Sequence, residues 1–139
     1  MNLIIDIGNN SAKFFLFNGE QIVLHTRREN TGFDVIDEWN RLYDIDKAIV
    51  STVIADSREL QDELDKLKCP VVRFNSSTPL PIGISYRTPG TLGSDRIAAA
   101  VGAWSEAPGR NILVIDAGTA ITIDFVGNDG TYNGGNIAP

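Results

Sequence analysis

Two carboxylates stand at matching points of the 139-residue chain, each closing an apolar run and each followed, two residues on, by glycine. Leu3-Ile4-Ile5-Asp6-Ile7-Gly8 aligns with Leu113-Val114-Ile115-Asp116-Ala117-Gly118 at a constant offset of 110. A bend of this kind suits a phosphate. Glycine lets the main chain come close and take a positive φ, so that N–H groups point at phosphate oxygens. The aspartate at the strand end holds Mg²⁺ directly or through water, because magnesium takes few carboxylates beside substrate phosphates. One Asp-x-Gly by itself reads as a plain turn; its repetition at equivalent places makes two facing hairpins, a clamp for a nucleoside triphosphate. A site lined by Asp6, Asp116 and Asp124 would repel a polyphosphate unless cations intervened. Lys13, on the strand after the first bend, is the side chain placed to supply one.

Asp95 is the third chemical candidate. An acid in the first turn of a helix favours the macrodipole by about 0.3–1 kcal/mol and needs no catalytic role. Arg96 beside it suits an ordinary surface charge. Yet Gly93-Ser94-Asp95-Arg96 follows a segment rich in proline and glycine. There a carboxylate accepts a substrate hydroxyl's hydrogen while a guanidinium binds an acidic group. Other residues offer less. His25 has no partner for a metal or a triad, Cys69 suits packing, and Trp39 and Trp104 fall on apolar helix faces. Gly134-Gly135 admits a ligand's close approach or merely a strand bend.

The elements that must carry these groups follow from periodicity and punctuation. Residues 3–5, 12–17 and 21–26 read as a three-stranded antiparallel meander, with Asn18-Gly19 as a hairpin signal. Thr31 and Asp34 resemble a capping box before a helix bearing Val35, Trp39 and Leu42. A strand at 47–53 follows, then a helix started by Asp56 and Glu59, carrying Leu60, Leu64 and Leu67 and stopped by Pro70, then a strand at 71–74. This β-β-β-α-β-α-β order predicts an α/β mixed sheet with helices on its faces. Residues 75–92 read as irregular. A helix opens at Ser94-Asp95-Arg96 with Ile97, Val101 and Trp104 on one face, and strands follow at 111–116, 120–126 and 132–137. The division expected is a first domain at 1–75, a substrate-contacting segment and helix at 76–110, and the incomplete start of a second similar domain at 111–139. The second copy lacks the helices that complete the first, so the chain reads as the N-terminal part of a longer one, inactive if it ended at Pro139.

Composition narrows the classes. Twelve Lys and Arg against 18 Asp and Glu, a net charge of -6, argue against a nucleic-acid partner. A single cysteine excludes an internal disulfide framework. Without a membrane-length apolar run or a signal core, a cytoplasmic protein with no membrane partner is expected.

Taken in order, these motifs resemble the type III pantothenate kinases, within the superfamily of acetate and sugar kinases, Hsp70 and actin. Asp6-Ile7-Gly8-Asn9 with Lys13 is similar to that family's D-x-G-N-T-x-x-K, and residues 91–96 to its T-L-G-x-D-R. Residues 116–124 fit D-x-G-T-A-x-T-x-D, and residues 134–139 begin G-G-x-I-x-P-G. The resemblance implies an RNase H-like (actin-like ATPase) fold and transfer of the ATP γ-phosphoryl group to pantothenate, the first step of coenzyme A synthesis. It implies that Asp6, Ile7, Gly8, Asn9, Asn10, Ser11, Ala12, Lys13 and Thr119 contact ATP, with Asp6 also organising Mg²⁺. Asp95 would be the base, Tyr86, Gly93, Ser94, Asp95 and Arg96 would contact pantothenate, and Asp116 would hold a monovalent cation, K⁺ or NH₄⁺. A homodimer is implied as well. Asn10 departs from the family's Thr and loses a hydroxyl contact. Two other readings share the topology: a non-catalytic nucleotide-dependent scaffold or regulator, and an RNase H-like nuclease using Asp6, Asp95, Asp116 and Asp124 around two metals.

Overall fold

The computed structural model describes residues 1–55, 57–75, 77–118 and 120–139. The chain divides into two compact units, Met1–Asn75 and Ser76–Pro139, so the segment 76–110 and the strands after it share the second.

In the first unit β1 (Asn2–Ile7), β2 (Ser11–Asn18) and β3 (Gln21–Glu29) form the antiparallel meander, and β4 (Lys47–Thr52) and β5 (Val71–Phe74) add to it in parallel. The sheet order is β3-β2-β1-β4-β5, an RNase H-like arrangement with the Asp6 strand at its centre. Alternation decides the core: Leu3, Ile5, Ile7, Ala12, Phe14 and Leu16 are fully buried on one face. Against them pack Val35, Ile36 and Trp39 of α1 (Asp34–Leu42) and Leu60 and Leu64 of α2 (Arg58–Leu64). Phe14 and Trp39 meet edge to face, ring centres 6.5 Å apart.

Local punctuation differs from the sequence reading in four places. The β2–β3 hairpin pairs Asn18 with Gln21, so its two-residue turn is Gly19-Glu20, with Gly19 at φ 59°. No side chain caps α1: Phe33 sits at the N-cap position and is buried, so burying its ring takes precedence over a Thr31–Asp34 box. At α2 the Ser57 side chain accepts the Leu60 N–H at 3.1 Å, one residue past Asp56, which lies outside the described residues. That helix ends at Leu64, six residues before Pro70, and Leu67 reaches the core from the turn beyond it.

The second unit repeats the meander with β7 (Ile112–Ala117), β8 (Ile121–Val126) and β9 (Thr131–Ala138), preceded by α3 (Ser94–Glu106). The segment read as irregular contributes a two-residue strand, β6 (Gly83–Ile84), parallel to β9, and a 3₁₀ turn over Pro89–Thr91. Arg96, Ile97 and Ala100 are the buried residues of α3, whereas Val101 and Trp104 are only half-buried. The equivalents of Leu3 and Ile5 behave differently here. Leu113 and Ile115, with Ile121, Ile123 and Phe125 opposite them, form a sheet face that is 39–61% exposed.

Candidate functional site

The candidate residues of the first unit gather at the β1–β2 bend. Asp6 and Lys13 are cross-strand partners, and Lys13 Nζ lies 3.4 Å from Asp6 Oδ2 with both side chains partly exposed. An exposed pair of this length contributes at most about 1 kcal/mol, so the ammonium is free to exchange its carboxylate for a phosphate. The Gly8 N–H donates to the Ser11 carbonyl at 3.0 Å, which closes the bend over four residues. Asn30, just past β3, donates its side-chain amide to the carbonyls of Gly8 and Asn9, each at 3.0 Å. Those two oxygens are therefore engaged and do not face an approaching anion. Arg27 Nε donates to Ser11 Oγ at 2.8 Å and adds a second cation on β3 opposite Lys13.

Gly8 corrects one premise. Neither Gly8 nor Gly118 has a positive φ. A Cβ on Gly8 would meet only the Ser11 carbonyl at 3.5 Å, and one on Gly118 the Ala120 carbonyl at 3.8 Å, ordinary contacts in both cases. The fold thus tolerates a side chain at either position. What a methyl group would occupy is the space before the bend, the space that the phosphate-clamp expectation needs open. The bends also differ in length, four residues between paired Ile7 and Ala12 and three between Ala117 and Ile121.

In the second unit Asp116, one residue before the end of β7, pairs with Thr122 and is exposed. Thr119 lies outside the described residues. Asp95 is exposed in the first turn of α3, and its Oδ1 accepts the Arg96 N–H at 2.9 Å. Arg96 is no surface charge. Its side chain turns inward, 8% exposed, and grips Asp124 through Nε at 3.1 Å to both oxygens and Nη2 at 2.5 Å. Asp124 is 1% exposed and also accepts the Tyr132 hydroxyl hydrogen at 2.6 Å. It is therefore neutralised from within the unit and does not join a phosphate-facing carboxylate set. That same pairing removes it from the ligand set the nuclease reading needs. The Tyr86 ring lies edge-on to Tyr132, centres 6.3 Å apart, and borders an open hollow of about 430 Å³ with Arg87, Thr88, Asn133, Gly134 and Gly135.

Burial and the bond to Asp124 push the Tyr132 phenol above its ordinary range, while Arg96 opposes this. A raised native pKa means the folded state holds the proton more tightly. Stability from this source is intact below the unfolded value of 10.0 and falls as pH rises above it. Urea denaturation at pH 9 and pH 11 should show a loss that is smaller in Tyr132→Phe; equal losses would contradict it.

The remaining candidates stay outside this chemistry. His25 stacks on Phe15, and burial raises the pKa of the half-buried Cys69 thiol, which disfavours a reactive thiolate. Among the described residues no three His, Cys, Asp or Glu side chains converge as a metal cage. A lone carboxylate such as Asp6 still fits magnesium, which takes its other ligands from phosphate and water. Sequence reasoning missed Asn30, Tyr132 and the role of Asp124. The sequence carries no local signal for Asn30; Tyr132 and Asp124 share a face of adjacent strands and were pairable only once register was known.

The sequence model for type III pantothenate kinases matches residues 2–139. The chain is 49% identical to a type III pantothenate kinase of Bacteroides fragilis and 42% to one of Phocaeicola vulgatus, over 139 residues each. Both alignments cover all of this chain and 57% of the relative, so the chain spans little more than half their length. Among solved structures, a conserved Baf family protein from Campylobacter jejuni is 26% identical with a TM-score of 0.54, covering 99% of this chain and 54% of that one. Two repeated Asp-x-Gly bends, a helix opening on Asp95 and a match along nearly every residue lead to one assignment: the chain belongs to the type III pantothenate kinase family.

Proposed function

We propose that the protein phosphorylates pantothenate to 4′-phosphopantothenate with ATP, the first step of coenzyme A synthesis. The observation that carries this reading is the placement of Asp95, a carboxylate left exposed at the opening of α3 while its neighbour Arg96 is drawn inside. In the proposed reaction the pantothenate primary hydroxyl attacks the γ-phosphorus. A bond forms from that oxygen to phosphorus, the bond to the β-phosphate oxygen breaks, and Asp95 takes the hydroxyl proton. In this reading pantothenate would occupy the open hollow beside Tyr86, and Gly93, Ser94, Asp95 and Arg96 would contact it. Residues 6–13 and Thr119 would bind the triphosphate, Lys13 leaving Asp6 for phosphate. Asp6 would hold Mg²⁺ and Asp116 K⁺ or NH₄⁺, and these cations, when bound, supply positive charge against the phosphates. The same reading makes the protein a cytoplasmic homodimer with no nucleic-acid or membrane partner; no described helix is long and apolar enough to cross a membrane.

The test is pantothenate-dependent release of ADP from ATP by the full-length protein. ATP binding without pantothenate-dependent turnover would favour the scaffold reading instead. Lys13→Met should raise the KM for ATP about 10- to 100-fold, the loss expected for one charge-assisted bond to phosphate. The KM for pantothenate should hardly move, and an unchanged KM for ATP would remove Lys13 from the site.

A further inference from the structure

We infer that Asp124 and Tyr132 are positioning residues for the reaction, acting through Arg96 to fix the direction in which Asp95 is presented. This rests on the reading of Asp95 as the base. The start of α3 is not capped from its N-cap position. Its N-cap is Gly93, with no side-chain cap, and the first turn of any helix is short of internal hydrogen bonds. The Arg96 N–H ties the Asp95 carboxylate to its own turn, but that bond does not tie the turn to the sheet.

The Arg96 side chain supplies that tie. Successive helix residues project about 100° apart, so driving Arg96 into the interior turns Asp95 outward at a set angle. The guanidinium is planar and meets both Asp124 oxygens, which fixes orientation as well as distance. Asp124 belongs to β8 and Tyr132 to β9, so the helix start is referenced to two strands of one sheet. A buried ion pair is a poor device for stability alone, since apolar groups of the same volume serve as well or better. Its use here fits a demand for direction. The edge contact between Tyr132 and Tyr86 extends the same framework to the hollow that Tyr86 borders.

The test uses the full-length protein and three single variants, Tyr132→Phe, Asp124→Asn and Asp95→Asn, with Tyr132→Phe also made in the Asp95→Asn background. Tyr132→Phe keeps the ring and removes one bond, so it serves where Asp124→Asn fails to fold. Tyr132→Phe should lower kcat about tenfold, and a folded Asp124→Asn about a hundredfold, with the KM for ATP unchanged. In the Asp95→Asn background Tyr132→Phe should cost nothing further, because its effect passes through the missing base. Wild-type kcat in Tyr132→Phe, or an equal loss in both backgrounds, overturns the positioning role while leaving Asp95 its own. Wild-type kcat in Asp95→Asn overturns the reading of the base, and the inference falls with it.

Discussion

Asp95→Asn is expected to lower kcat on the order of a thousandfold while leaving ATP affinity and folding intact. The size follows from what is removed, a proton acceptor at the attacking hydroxyl, for which losses of about 10²–10⁴ are usual. The selectivity follows from the site. Asp95 is exposed, and an amide oxygen at the same place still accepts the Arg96 N–H that Oδ1 now takes. The ion pair that anchors the turn belongs to Arg96 and is not touched. Steady-state ADP release paired with calorimetric titration of ATP measures both halves. Turnover near wild type would leave the nucleotide-dependent scaffold as the better account of the family's bends.

Gly135→Ala should destabilise the second unit by about 3 kcal/mol or more, enough to abolish a cooperative melt in a marginal domain. An added Cβ would lie 1.9 Å from the Ile123 carbonyl and 2.8 Å from the Asp124 Cα. Those are main-chain atoms of the paired strand, and no rotamer change relieves them. Relief requires β8 and β9 to separate at the residue that holds Arg96. Gly134 is restricted for a different reason, a φ of 96° and a Tyr86 ring carbon 2.9 Å from where its Cβ would stand. Thermal denaturation followed by circular dichroism reads the effect, and a midpoint within a few degrees of wild type would contradict it.

Gly134-Gly135 shows where sequence reasoning stops. Two adjacent glycines in a strand announce a close approach, and the structure identifies what approaches: the neighbouring strand and the Tyr86 ring. The meander and the Asp6–Lys13 proximity were legible because they depend on alternation and on neighbours in sequence. The central place of the Asp6 strand instead follows from parallel pairing with a strand about 40 residues on. Cap positions were less so, since Phe33 follows a burial demand set by residues far along the chain. Arg96 was the largest misreading. Charge beside a helix start favours solvent, and only the partner 28 residues away makes an interior place tolerable. Asn30 braces the bend from 22 residues away through hydrogen bonds to main-chain carbonyls, which no side-chain pattern announces.

The duplicated sheets treat equivalent residues in opposite ways. Leu3 and Ile5 are sealed, while Leu113 and Ile115 sit in a wet patch of interior-type composition. For as long as that patch stays wet, handling the protein in solution becomes a contest with self-adhesion. Concentration, cold and mild detergent then set the working conditions, and a lysine in place of Leu113 is the mildest way to keep a sample clear.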